Sequence, residues 1–145
     1  MHLAKKMFLI IVVFLSLFLD FHLVYGKKIS YPDNLWKGIL GEAASERREG
    51  MYAVVCVYRN RLRNGLPLGC VALKRRDLDK FVKKQGEKYE EMAKEIIREV
   101  FEKNGPDITN GATHYENVEK FGLPSWAKEM TITAKIGRHT FFAEK

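Results

Sequence analysis

Apolar positions recur at helical spacing over most of the chain. Leu35, Trp36, Ile39, Leu40 and Ala43 form one stripe, the signature of a helix with a single buried face. Asp33 or Ser30 stands where a capping side chain is wanted, and the helix is expected to end near Arg47-Arg48. A second helix is predicted from about Gly50 to Arg63, with Asn64-Gly65 closing it in a left-handed turn. From Met51 to Tyr58 it is apolar nearly all round, as a central buried helix must be. Gly65-Leu66-Pro67-Leu68-Gly69 reads as a loop, and a short amphipathic helix near Asp77 to Lys84 should stop at Gly86. The clearest periodicity follows from about Glu87 to Lys103, where Tyr89, Met92, Ala93, Ile96, Val100 and Phe101 share a face. Asn104-Gly105-Pro106 ends that helix, and its Lys- and Glu-rich outer face marks it as a supporting element.

Beyond Pro106 the period changes. Thr131 to Ile136, then Gly137-Arg138, then His139 to Phe142 predicts a hairpin, and Gly first in a two-residue turn suits type II′. The fold class is therefore mainly α (α+β), a helical domain with a small C-terminal β-hairpin. The start of the chain is different again. Lys5-Lys6 precede an apolar run from Met7 to Leu19, shorter than the roughly 20 residues a membrane-spanning helix needs. That is the pattern of a secretory signal peptide, with cleavage expected after Gly26. Residues 27–145 then make one domain in a secreted or periplasmic protein, bound to a membrane only if the signal stays uncleaved.

Charge narrows the partners. The chain carries 25 Lys and Arg against 18 Asp and Glu, a net +7. Loss of Lys5, Lys6 and Asp20 with the signal leaves +6. Such a protein is drawn to anionic polymers or surfaces. Its charges are interspersed with carboxylates along helices rather than gathered among aromatics, so no nucleic-acid partner is expected. A monomer is expected. Cys56 and Cys70 either pair in the oxidising compartment or are buried thiols, and neither belongs to a zinc-type spacing.

Two regions carry candidate chemistry. Glu42, in Ile39-Leu40-Gly41-Glu42-Ala43, lies on the apolar side of the first helix. A carboxyl group held against apolar surface has its charged form disfavoured, which is what a general acid needs to cleave a glycosidic bond. The second region is a polar and aromatic loop, Asn110 to Asn117 and then Phe121 to Trp126. His114, Tyr115, Asn117 and Trp126 supply amides, rings and an imidazole of the kind that bind sugars. Glu46, Glu49 and Glu116 are the possible partners of Glu42. Glu49 is assigned a site-supporting role at the positive end of the second helix. His114, Glu116 and His139 show no known zinc pattern, so neither metal nor cofactor is expected.

At these residues the chain resembles a known family. Residues 36–142 are similar to the catalytic domain of the cell wall hydrolases of the spore cortex-lytic SleB/CwlJ type. The resemblance rests on Ile39 to Ala43, Glu49 to Val54, Asn60-Arg61, Asn110 to Asn117, Trp126-Ala127 and Ile136 to Phe142, in that order. It implies a lysozyme-like helical fold and cleavage of the MurNAc–GlcNAc bond in peptidoglycan glycan strands. It further implies that Glu42 is the general acid of a lytic transglycosylase. The stretch from Leu66 to Gln85 departs from the family in its Lys and Arg content. The other function weighed is a non-catalytic peptidoglycan-binding or structural protein on the same fold.

Overall fold

The computed structural model describes residues 29–145, so the segment read as a signal peptide lies outside the described residues. Helix α1 spans Leu35–Ala43, a 3₁₀ turn follows at Ala44–Glu46, and α2 spans Arg47–Arg63. A 3₁₀ turn at Val71–Lys74 leads to α3, Leu78–Gln85, and α4, Glu87–Ile97. The one-turn helix α5, Val118–Phe121, lies between strand β1, His114–Glu116, and a 3₁₀ turn at Ser125–Glu129. Strands β2, Thr131–Ile136, and β3, His139–Ala143, end the chain.

The hydrophobic pattern explains the layering. Every residue of α2 from Gly50 to Asn60 is buried. Met51, Val54, Val55 and Tyr58 pack into the helical core with Leu35, Ile39, Leu40, Ile96 and Val100. Ala53 and Val57 pack instead with Ala112 and Phe141 beneath the sheet. A helix between two layers has no face for solvent, hence its apolar circumference. At its end Gly65, at φ +69°, takes the left-handed position. Its N–H bonds Leu62 O at 3.2 Å and that of Leu66 bonds Arg61 O at 2.9 Å, a Schellman closure.

The sheet has three antiparallel strands in the order β1-β3-β2, so β1 joins the predicted hairpin along its free edge. The turn between β2 and β3 has positive φ at Gly137 and not at Arg138, as type II′ requires.

The stretch from Asn110 to Trp126, read as a loop, contains strand β1 and helix α5. Three further expectations are corrected. Neither Asp33 nor Ser30 caps α1; its N-cap is Asn34, which makes no side-chain bond, and the first helical N–H, that of Leu35, bonds Pro32 O at 3.0 Å. The first helix ends at Ala43 rather than near Arg47-Arg48. The last turn of the long helix is a π turn, Arg98–Glu102, where the Lys103 N–H reaches Arg98 O. There the buried Arg59 guanidinium donates to Val100 O and Gly105 O, drawing the chain out of the regular ladder. Cys56 and Cys70 are both buried and unpaired. Burial pushes the Cys56 thiol up to about 11.

Candidate active site

A cavity of about 450 Å³ opens where α1, α2, β1 and the hairpin turn meet. Glu42, Ser45 and Glu46 line it from α1 and the turn that follows; Val57, Tyr58 and Arg61 line it from α2. The rest of its wall is Gly69 and Val71, the stretch from Thr113 to Asn117, Lys120 and Phe121, and Arg138 and His139.

Glu42 is half-buried near the end of α1, and its Oε1 accepts the Ala72 N–H at 2.8 Å. Gly41 makes that bond possible. A Cβ there would come within 2.6 Å of the Ala72 Cβ, so only glycine lets the 71–74 turn lie so close to α1. The carboxylate therefore faces a polar-lined cavity and an amide, not the purely apolar surface its sequence context suggested.

Tyr58 and Tyr115 share a hydroxyl–hydroxyl bond of 2.9 Å. Burial pushes both phenols well above their usual 10; next in weight is the Glu42 charge for Tyr115, and Tyr115 itself for Tyr58. Both remain neutral donors. Burial also holds the His139 imidazole below its usual 6.5, against the opposing pull of Glu46, Glu116 and Glu42. Its Nδ1 is buried with no hydrogen-bond partner. His114 is lowered by burial and then by the Arg61 charge.

Polar bonds hold the loop side. Asp107 accepts from Asn60 Nδ2 and Gly111 N, both at 2.8 Å, and from Thr109 N at 2.9 Å and Thr109 Oγ1 at 2.6 Å. Burial would raise this carboxyl, but those bonds outweigh it and hold it below its usual 3.8. Arg61 donates to Pro67 O at 2.8 Å and Thr113 O at 2.9 Å, tying two loops to α2.

The hairpin turn is clamped by Glu46, a residue sequence reasoning undervalued. Its side chain is buried and accepts from Arg138 N and Arg138 Nε, each at 2.8 Å. A Cβ at Gly137 would collide with this carboxylate, so the turn glycine serves close approach as well as backbone shape. Burial would raise the Glu46 pKa, but the bonds from Arg138 outweigh it and hold the carboxyl below its usual 4.5.

Of the residues singled out from sequence, Glu42, His114, Tyr115 and Asn117 converge on the cavity. Tyr115 packs inward against His139 and Phe141 rather than presenting a free face. Trp126 stands beside the cavity, its ring centroid 5.2 Å from that of His114. Glu49 is not brought to Glu42: it is exposed on the first turn of α2 and lines a smaller neighbouring recess. Lining residues not singled out from sequence include Tyr58, Arg61, Val71 and Arg138, whose long-range placement leaves no mark on local periodicity. Among the described residues no group of three or more His, Cys, Asp or Glu converges as a metal site would. No helix among them is long and apolar enough to cross a membrane.

A mainly helical domain with a carboxylate in a polar cleft is thus defined by fold and site. The chain belongs to the cell wall hydrolase family, whose model matches residues 45–142. Glu42 stands three residues ahead of that span. The fold is similar to that of the catalytic domain of the germination-specific lytic transglycosylase SleB from Bacillus anthracis. The TM-score is 0.53 and the identity 24%, over 79% of this chain and 98% of that one. No curated protein matches the chain.

Proposed function

We propose that this cell wall hydrolase is an exported lytic transglycosylase that cleaves the MurNAc–GlcNAc bond of peptidoglycan, with Glu42 as acid and then base. The observation that carries this reading is how the cavity's three carboxylates are engaged. Glu46 is spent on Arg138, and Glu116 Oε1 accepts the Asn117 N–H at 2.8 Å. Glu42 and Glu116 each accept one backbone N–H and make no ion pair among the described residues, but it is the Glu42 charge that bears on both buried tyrosines, Tyr58 and Tyr115. One oriented carboxyl group beside neutral donors suits a reaction that needs a single proton carrier.

In that reaction Glu42 gives its proton to the glycosidic oxygen, and the GlcNAc leaves bearing a free 4-hydroxyl. Positive charge develops at the MurNAc anomeric carbon. The Glu42 carboxylate then takes the proton of the MurNAc C6 hydroxyl as its oxygen closes on that carbon. The product is a 1,6-anhydro ring, no water is consumed, and Glu42 returns to its starting state. A hydrolase would instead recruit a second carboxylate or a held water.

Mass spectrometry of fragments released from purified wall tests this. Ends with a 1,6-anhydro ring are expected from wild type; reducing ends would overturn the transglycosylase chemistry and leave a muramidase. Absence of any fragments on every wall type tried would favour a wall-binding protein. Export predicts a secreted protein whose N-terminal residue is Lys27.

A further inference from the structure

Five large hydrophobic side chains are exposed among the described residues: Val71, Phe121, Leu123, Trp126 and Ile132. Scattered exposed hydrophobics are ordinary on a protein surface. Two of these are not scattered: Phe121, 67% exposed, and Val71, 68% exposed, line the cavity that holds Glu42. We infer that Phe121 is a sugar-stacking platform at the mouth of this cavity, with Val71 as a second apolar contact, and that together they grip a pyranose ring of the glycan strand. The inference rests on the glycan-cleaving reading above and names the residues that hold the strand.

The local structure is built to hold that ring still. Asn117 caps α5, its Oδ1 accepting the Lys120 N–H at 3.1 Å, and the Phe121 N–H bonds Asn117 O at 2.9 Å. Gly122 at φ +78° ends the turn at once. Lys120 places its ammonium 4.9 Å from the Phe121 centroid, covering one face. With two-thirds of the residue still exposed, the second face is open. Val71 immediately precedes Ala72, whose N–H orients Glu42. A ring held at Val71 is therefore one residue from the group that orients the acid.

Sugar is the occupant that fits. A pyranose presents polarised C–H bonds on its flat face, complementary to the negative face of an aromatic ring. Its hydroxyls meet the polar groups deeper in the cavity. Leu123 and Trp126, also exposed, belong to the same short segment, and Trp126 stands against His114 of the cavity wall.

The test is calorimetric titration of peptide-free peptidoglycan glycan strands into the full chain carrying Glu42→Gln, which binds without turnover. Phe121→Ala is expected to raise Kd roughly tenfold, about 1.4 kcal/mol, and Val71→Ser by about threefold. Phe121→Trp should restore binding and Phe121→Leu should not, because stacking needs a flat face. Ile132→Ala, exposed but outside the cavity, should change nothing. In the active protein Phe121→Ala should raise KM and leave kcat in place, with an unaltered melting temperature. Unchanged affinity in Phe121→Ala, or equal rescue by Leu and Trp, would overturn the platform alone. Failure of the parent to bind strands, with no fragments released by wild type, would overturn the glycan reading and the platform with it.

Discussion

Leu35, Ile39 and Leu40 of α1 and Met51 to Tyr58 of α2 hold the Glu42 side of the cavity by apolar packing, all of them buried. The 107–117 segment also packs, through Ala112 and Tyr115, but it and the 137–139 turn depend in addition on polar ties from Asp107, Arg61 and the Glu46–Arg138 pair. Packing is non-directional and indifferent to pH, whereas each polar tie depends on a charge state and an angle. The acid therefore sits on a wall held chiefly by packing, whereas the wall that carries His114, Tyr115 and His139 adds ties that respond to solution conditions.

The largest effect should come from removing the chemistry while leaving both walls intact. Glu42→Gln keeps an oxygen for the Ala72 N–H, so dye release from labelled wall is expected to fall by about 10²–10⁴-fold with the melting curve in place. Equal clearing by both proteins would remove Glu42 from the mechanism. Breaking the packed wall comes next. Ile96 of α4 is fully buried in the core, and Ile96→Ala should cost roughly 2–5 kcal/mol in urea unfolding. Its effect on activity should appear only as folded protein is lost.

Glu46→Ala breaks the polar wall. Because Arg138 is about half exposed, the loss of stability is expected to be only about 1–2 kcal/mol. Activity should fall more than folding does, since the freed hairpin turn carries His139. The Glu46 carboxyl is lowered in the fold, so its contribution is present above pH 4.5 and lost as pH falls through the folded value. That acid limb of the stability curve should be shallower in the variant. His139 follows the same linkage in a higher pH window. Its folded value lies below 6.5, so stability declines once pH falls under 6.5 and the unfolded imidazole takes up a proton the folded one does not. His139→Gln should flatten that part of the curve.

The smallest effect concerns the joint between α1 and α2. Arg47 has φ +59° and ψ −176°, a region that side chains with a Cβ rarely occupy. Arg47→Gly is expected to raise stability by about 1 kcal/mol, read as a higher urea midpoint with unchanged slope. An unchanged or lower midpoint would show that the joint carries no strain.

Much of this architecture was legible in the chain. The α2 core, the Gly65 and Gly86 stops, the α4 stripe and the Gly137 turn follow from spacing and turn chemistry, which act over a few residues. Site membership was legible in part, since Glu42, His114, Tyr115 and Asn117 converge. Glu49 shows why the rest was not. One 3₁₀ turn and one left-handed residue between α1 and α2 shift the helical phase, so Glu46 enters the cavity and Glu49 points to solvent.

The sequence alone determined the main helices and the C-terminal hairpin, which helix is central, and which residues were candidates for the acid and for sugar contacts, while β1 and α5 lay in a stretch it read as loop. Periodicity and capping are local properties, readable from neighbours on the chain. Only the tertiary structure decided that Glu46 closes on a turn 92 residues away, that Tyr115 packs inward, and that Phe121 stands open at the cavity mouth. Those outcomes depend on how packed elements meet across the fold, and no local pattern encodes the distance between them.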